Sequence, residues 1–209
     1  KKNNKINTKT YKTILKEKQL DELIKRLDEK LVISVDTETS SLNPQEADLV
    51  GVSLCYEANE AFYIPIGHKE KTELKKDLVL KKLKPILEDP SIKKVGQNIK
   101  YDFIILKNHG IELSSVEDTM LLSYTLDAGN NRHNMDTLSE LHLGHKTISY
   151  KDLVGTGKKQ LNFSEVDLKS ATEYAAEDAD ITFRLYKRFI KNLKLEKMVN
   201  IYEIFEKPM

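Results

Sequence analysis

The sequence predicts an α/β domain in which a mixed β-sheet is flanked by helices. Three apolar stretches rich in β-branched residues, at 31–35, 49–57 and 61–67, have the length and composition of strands. Residues 58–60, between the last two, favour a hairpin turn. Strands and helices then alternate to the end of the chain, an order typical of a sheet with helices packed on its faces.

The elements before the first of these strands are predicted from periodicity. Residues 11–15 favour a short strand, and residues 18–30 favour a helix with charged residues on its outer face. The apolar residues of this helix recur at helical spacing, namely Leu20, Leu23, Ile24 and Leu27, with Leu31 just beyond its end. The strand at 31–35 follows directly, and its apolar density suits a strand covered on both faces.

The second half of the chain contains mostly helices. The predicted elements are a helix at 77–90 that contains Pro85 and ends at Pro90, a strand at 93–97, a helix at 98–110 closed by Gly110, a strand or loop at 115–120, helices at 121–128 and 134–144, a loop-like stretch at 150–163 and a long helix at 167–194. Asn134 and Gly144 are the predicted N-cap and end of the helix at 134–144.

Composition and charge narrow the function classes. The 209 residues suffice for one domain, and 39% apolar and 32% charged residues are ordinary for a globular protein. A net charge of +1 is no signature of polyanion binding, so any contact with nucleic acid must be local, through a few side chains or metal ions. The single cysteine, Cys55, excludes an internal disulfide and favours a cytoplasmic protein, and no apolar run is long enough to span a membrane.

Four acidic residues stand out because they have no matching cations. Asp36 and Glu38 follow the strand at 31–35, Asp102 lies on a predicted helix four residues after Asn98, and Asp178 lies four residues after Tyr174 on the long helix. The "DTE" segment alone is weak evidence, because solvated loop charges would explain it. Asp102 and Asp178, however, lie on otherwise apolar helices, and like charges about 4 Å apart repel by roughly 4 kcal/mol at an effective dielectric of 20. Divalent cations such as Mg²⁺ or Mn²⁺ would supply the missing positive charge.

These acids, with the tyrosine four residues before the last, resemble the DnaQ-like, or DEDD, 3′–5′ exonucleases on a ribonuclease-H-like fold, in the subgroup marked by tyrosine. The segments that carry the resemblance are "VDTETSSL", "GQNIKYD", "EDTMLLSYTLD", "RHNMDTLSELHLGHKTISYKDLVGTGKKQLNF" and "YAAEDADIT". Together they are similar to the proofreading exonuclease domain of bacterial DNA polymerase I. The likeness runs from about Tyr11 to the closing "EKPM".

The resemblance implies a site with two divalent metal ions, Mg²⁺ or Mn²⁺ in its place, and no nucleophilic side chain. It implies that Asp36 bridges both ions, that Glu38 and Asp178 complete the site of the ion that activates water, and that Asp102 holds the other. Tyr174 would orient the attacking water, since a phenol is too weak an acid to serve as the base at neutral pH.

The resemblance also implies contacts with a frayed, single-stranded 3′ end of DNA. Leu42 would be an apolar wedge and Tyr150, where the family often has Phe, a stacking platform. The implied contacts to the terminal sugar and phosphates are Gln97, Asn98, Tyr101 and Arg132. For Leu42, Tyr150 and Arg132, an ordinary surface or core position competes with the binding role.

The implied domain plan is a lead-in or linker at 1–10, the exonuclease domain at 11–205, and at 206–209 the start of a link to an absent polymerase domain. We expect a monomer that proofreads for that polymerase domain in a bacterial cytoplasm, near the nucleoid. Two alternatives stay open: an RNA-processing nuclease of the ribonuclease D type, which shares the acids and the tyrosine, and a non-catalytic scaffold that binds no metal.

Three further features are given structural interpretations. His142 and His145 lack the third ligand of a zinc site, so we expect surface or helix-end histidines. "GTGKK" lacks the spacing of a phosphate-binding loop. Asp180, two residues beyond Asp178, points elsewhere on the helix and is expected to be structural.

Overall fold

A six-stranded mixed sheet forms the middle of the domain in the computed structural model, which describes residues 5–207 apart from the side chain of Lys158. Its strands are β1 (Lys12–Thr13), β2 (Val32–Thr39), β3 (Leu49–Glu57), β4 (Glu60–Pro65), β5 (Lys93–Gly96) and β6 (Val116–Asp118). They lie in the order β1-β4-β3-β2-β5-β6. The meander β2-β3-β4 is antiparallel, while β2, β5 and β6 are mutually parallel and β1 is parallel to β4.

Helices cover both faces of this sheet. Within the described range they are α1 (Glu17–Asp28), α2 (Lys76–Glu88), α3 (Lys100–Asn108), α4 (Thr119–Asp127), α5 (Met135–Leu143), α6 (Tyr150–Val154), α7 (Leu168–Leu195) and α8 (Val199–Ile201). Between residues 5 and 207 no helix could span a bilayer, since even α7, the longest, carries many charged residues.

Alternation along the central strand β2 decides which helix meets which side chain. Ile33 and Val35 point to the face packed by α1, α2 and α3, in one large apolar core. Ser34 points to the other face, where its hydroxyl donates to the carbonyl oxygen of Ala179 on α7 at 2.7 Å. Asp36 and Glu38 follow the period of Ser34, so they also face α7.

Small side chains let α7 lie close to the sheet, as the sequence predicted. The alanines that face the strands and neighbouring loops are fully buried, namely Ala171, Ala175, Ala176 and Ala179. The helix begins with the side chain of Asp167, which accepts a hydrogen bond from the Ser170 N–H at 3.0 Å. Asp178 is thereby carried on a rigid element packed against β2.

Most predicted elements form with shifted ends, and three expectations were wrong. The strand predicted at 31–35 continues through both acids to Thr39. Asn98 does not lie on the helix of Asp102, because α3 begins at Lys100 and Asn98 has a positive φ of 59°. The stretch 150–163 is not all loop, since it contains α6 and short 3-10 turns at Gly157–Lys159 and Phe163–Glu165.

Both chain ends contact the sheet as far as the structure describes them. Asn7 donates its backbone N–H to Asn59 at 2.9 Å, and Thr8–Thr10 form a 3-10 turn. Near the other end, the Tyr202 hydroxyl and the Lys207 ammonium donate to the buried Glu117 carboxylate at 2.6 and 3.0 Å. Residues 1–4 of the expected lead-in and residues 208–209 of the expected link lie outside the described residues.

Candidate active site

Three carboxylates converge where the end of β2 meets α7. Single oxygen atoms of Asp36, Glu38 and Asp178 all lie within 4.8 Å of one another. Glu38 is buried, while Asp36 and Asp178 are partly exposed to an open cleft of about 590 Å³. The arrangement follows from period two along β2, which puts both strand acids on the face that α7 covers.

Asp102 reaches the same region from the opposite face of the sheet. It lies in the first turn of α3, is buried, and its Oδ1 accepts hydrogen bonds from the Thr37 N–H at 2.8 Å and the Thr37 hydroxyl at 2.6 Å. Thr37 stands between the two strand acids and points the other way, so it fixes Asp102 beside them. The sequence analysis did not single out Thr37, although its place inside "DTE" was a signal.

Within the part of the chain that the structure describes, the four acids have no basic partners. Among the described residues, no lysine or arginine forms an ion pair with any of these carboxylates. Burial and the charge of Asp102 hold the pKa of Asp36 well above its usual range, and burial and the charge of Asp178 do the same for the pKa of Glu38. The concentrated negative charge is therefore relieved only by protons or by cations.

The other two acids show the same effect with different causes. Burial raises the pKa of Asp102 to about 7, although the hydrogen bonds from Thr37 oppose the rise. Burial, followed by the charge of the adjacent Glu177, raises the pKa of Asp178 to about 8. Clustered, anionic oxygen donors of this kind fit hard divalent cations such as Mg²⁺ or Mn²⁺.

Tyr174 lies one turn before Asp178 on α7 and lines the same cleft. Burial, then the negative charges of Asp178, Glu38 and Asp36, raise the pKa of its phenol far above the ordinary value. The hydroxyl therefore keeps its proton at physiological pH, which suits Tyr174 to hydrogen bonding and not to accepting a proton.

Leu42 and Tyr150, the two predicted base contacts, form walls of the cleft. Leu42 is 93% exposed, so its side chain is free to contact a ligand in the cleft. The Tyr150 ring is nearly parallel to Phe163 at 6.4 Å between centroids and lies edge-on to Tyr174 at 6.0 Å. Phe163, missed by the sequence analysis, thus supports Tyr150 from behind.

The remaining predicted contacts divide into two groups. Tyr101 lines the cleft, and its hydroxyl donates to the Ser41 carbonyl oxygen at 2.5 Å, which ties it to the loop that carries Leu42. Gln97, Asn98 and Arg132 are not among the cleft-lining residues of the described chain. The Gln97 amide is engaged on both sides, donating to the His133 carbonyl oxygen at 2.7 Å and accepting from the Thr119 hydroxyl.

Gly51, paired with Glu38 across β2 and β3, permits the close approach of an aromatic ring on the face that carries the acids. A Cβ atom at this position would lie 2.1 Å from the hydroxyl oxygen of Tyr63. That hydroxyl is held by Nε2 of His68 at 2.7 Å, and the ring is completely buried. Glycine at position 51 therefore lets the Tyr63 ring pack beside Glu38 on the face that α7 covers.

Two of the structural interpretations agree with the coordinates. Asp180 is completely buried and pairs with Arg184 at 2.9 Å, and it accepts from the Tyr11 hydroxyl and the Asn59 N–H rather than facing the cleft. His145 lies at the end of α5 and pairs with Glu177, as described below.

The fold is ribonuclease-H-like, and its cluster of acids has the chemistry of a site for divalent cations. Solved structures with this fold include Brucella melitensis NrnC, at a TM-score of 0.68 and 22% identity over 92% of this chain and 84% of that one. Escherichia coli RNase D matches at a TM-score of 0.69 and 18% identity over 92% of this chain and 47% of its own. Identities this low support the fold alone.

Sequence similarity places the chain more narrowly. A family model described as 3′–5′ exonuclease, of the DNA polymerase A exonuclease domain, matches residues 11–194, and the chain belongs to this family. It is 42% identical over 198 residues to DNA polymerase I of Rhizobium leguminosarum, covering 85% of this chain and 20% of that protein. It is 41% identical to DNA polymerase I of Pseudomonas aeruginosa over 95% of this chain and 23% of that protein. The chain thus spans about a fifth of the length of these curated relatives.

Proposed function

We propose that this chain is a metal-dependent 3′–5′ exonuclease that removes 5′-mononucleotides from the 3′ end of DNA and proofreads for a linked DNA polymerase I. The observation that carries the proposal is the convergence of Asp36, Glu38 and Asp178 beside Asp102, with no ion pair to a lysine or arginine among the described residues. Buried like charges of this density are unfavourable unless a cation binds them. Membership of the exonuclease family supports the same function.

The four carboxylates would hold two divalent ions, Mg²⁺ with Mn²⁺ able to substitute. When bound, such ions lower the pKa of water and neutralise charge on the entering and leaving oxygens of a phosphodiester. Thr37 orients Asp102, and its two hydrogen bonds favour the carboxylate form against the effect of burial. Tyr174 keeps its proton and orients the attacking water by hydrogen bonding.

Leu42 and Tyr150 would hold the last bases of a single strand in the cleft. An exposed aliphatic side chain can wedge between bases, and a partly exposed aromatic ring offers a stacking surface for any base. We assign to Tyr101 a place beside the terminal sugar. Asn98, Gln97 and Arg132 would contact phosphate or sugar from outside the cleft, with Gln97 available only after its present hydrogen bonds break.

The relatives support DNA rather than RNA as the substrate, because the sequence matches at about 40% identity are DNA polymerases. We further propose that residues 11–205 act as one monomeric domain of a longer polymerase, in the bacterial cytoplasm near the nucleoid. Ribonuclease D-type processing of RNA remains the second candidate, favoured only by the shared fold.

A direct test uses single-stranded DNA labelled at its 5′ end, in Mg²⁺ and in Mn²⁺. The chain should produce a ladder of shortened products, and Asp36→Asn should abolish it. Asp28→Asn, which removes an exposed acid at the end of α1, should not change it. A matched RNA oligomer separates the two nuclease candidates, since faster shortening of RNA would overturn the DNA assignment. No shortening, combined with no heat of Mn²⁺ binding in calorimetry, would leave the scaffold as the function.

A further inference from the structure

Glu177 directly precedes Asp178 on α7, yet its carboxylate serves a different part of the chain. The residue is 1% exposed, and both carboxylate oxygens accept hydrogen bonds. His145 Nε2 donates to Oε1 at 2.8 Å, and the Ile148 N–H donates to Oε2 at 2.6 Å. Two consecutive residues of α7 thus have different partners. Asp178 belongs to the acid cluster, and Glu177 binds the segment 145–148.

The segment 145–148 leads straight into the stacking wall of the cleft. It starts after Gly144, which ends α5 in the left-handed conformation, and it ends two residues before Tyr150, the first residue of α6. The Tyr150 ring then lies edge-on to Tyr174 of α7. The bonds of Glu177 therefore tie to α7 the segment that leads into Tyr150.

We propose that Glu177 is a positioning residue: its two hydrogen bonds to His145 and Ile148 set Tyr150 at a fixed distance from the acid cluster, so that a base stacked on Tyr150 aligns its phosphate with Asp178. The inference rests on the proposed exonuclease function. It gives a reason for a buried carboxylate directly beside a cluster that already carries excess negative charge, where burial of one more acid is unfavourable.

The chemistry of the pair allows geometry to be separated from charge. In Glu177→Gln, the amide oxygen can still accept from the Ile148 N–H, and the amide nitrogen can donate to His145 Nε2 once the ring changes tautomer. The distance to Tyr150 is then kept while the charge is lost. In Glu177→Ala both bonds are lost, and Ile148 is released from α7.

The test measures kcat/KM on a single-stranded DNA oligomer in saturating Mg²⁺. Glu177→Ala should lower kcat/KM about tenfold, whereas Glu177→Gln should stay within about threefold of the parent chain. Glu173→Ala, one turn earlier on α7, is the matched control and should not change kcat/KM. If Glu177→Gln loses as much as Glu177→Ala, the charge rather than the geometry matters, and the proposal is overturned.

A double-mutant cycle with Tyr150→Ala tests whether Glu177 acts through Tyr150. The loss in Glu177→Ala/Tyr150→Ala should be no larger than in Tyr150→Ala alone, because the second change then has nothing left to misplace. Multiplied losses would show independent roles and refute the proposal.

Amide hydrogen exchange gives a readout that does not depend on activity. The Ile148 N–H should exchange slowly in the parent chain and in Glu177→Gln, and fast in Glu177→Ala. Fast exchange of the Ile148 N–H in the parent chain would refute the proposed positioning by Glu177, whatever the exonuclease activity. Slow exchange in a chain that shortens no DNA would instead refute the proposed exonuclease function and leave the contact purely structural.

Discussion

Replacing Asp178 by Asn should stabilise the metal-free protein, although it should destroy a metal site. With carboxylate oxygens at the 4.8 Å limit, each pair of charges repels by about 3.5 kcal/mol at an effective dielectric of 20. Asp178 faces two such partners, Asp36 and Glu38. The native cluster escapes much of this repulsion by retaining protons, so we expect a net gain of about 2 kcal/mol in the free energy of unfolding for Asp178→Asn at pH near 8.

The sign of the pH dependence follows from the direction of the pKa shift. The pKa of Asp178 is raised in the folded protein from 3.8 to about 8, so the folded state binds a proton that the unfolded state releases. This bound proton stabilises the folded state. Its contribution to the free energy of unfolding is complete below the pKa of the unfolded state and is lost as the pH rises through the pKa of the folded state. The metal-free parent chain should therefore lose stability across this window, and Asp178→Asn should lose less.

The assay is urea unfolding followed by circular dichroism, with EDTA or with excess Mg²⁺. A gain of about 2 kcal/mol moves the midpoint by about 1 M urea for a slope near 2 kcal/mol/M. Glu140→Gln, which removes an exposed charge on α5, should change stability by less than about 0.5 kcal/mol. With Mg²⁺ the order should reverse, because the cation stabilises only the chain that binds it. A metal-free Asp178→Asn less stable than the parent at high pH would refute the reasoning.

Three further substitutions test other contacts. Thr37→Ala removes the 2.6 Å hydrogen bond to Asp102, so kcat/KM on DNA should fall about tenfold. Thr37→Ser keeps the hydroxyl and should restore kcat/KM. An unchanged kcat/KM in Thr37→Ala would show that Asp102 does not need this hydrogen bond. Arg184→Ala leaves the completely buried Asp180 without its ion-pair partner, so chemical denaturation should show a loss of about 3–5 kcal/mol, and a loss below 1 kcal/mol would contradict the pairing. Gly51→Ala would force a Cβ atom into the Tyr63 ring, so thermal unfolding should show a loss of about 1–3 kcal/mol, whereas unchanged stability would mean that the ring moves freely.

The spacing of apolar residues was enough to predict most strands and helices. When one face of an element is buried, apolar residues recur with a period of 2 in a strand and 3.6 in a helix. It was not enough to place Asn98, since a left-handed residue before α3 depends on the N–H that it donates to Asp118, in β6. The short helix at Tyr150 was missed because five residues give too little periodicity, and the contacts beside it, from Ile148 to Glu177 and from Tyr150 to Phe163, cannot be read from local pattern.

Residue types and the resemblance identified the acids of the candidate site. Their positions relative to one another were not predicted from the sequence. Whether a carboxylate joins the group of three depends on which face of the sheet its helix packs against. Asp178 lies on α7, on the side of Asp36, while Asp102 lies on α3, on the other. No spacing in the sequence distinguishes these cases, because packing faces are set by contacts between distant segments.

The 28 residues of α7 make a rod about 42 Å long, with Asp178 in its N-terminal half and the buried Phe189 and Leu193 towards the other end. Such a rod transmits tilt along its length, since a helix bends far less readily than a loop. A change that repacks the distant end, without touching any acid, would swing the Asp178 oxygens relative to the strand. The affinity of the proposed cation site should therefore depend on a hydrophobic cluster well away from the cleft, and variants of altered metal preference could be sought there.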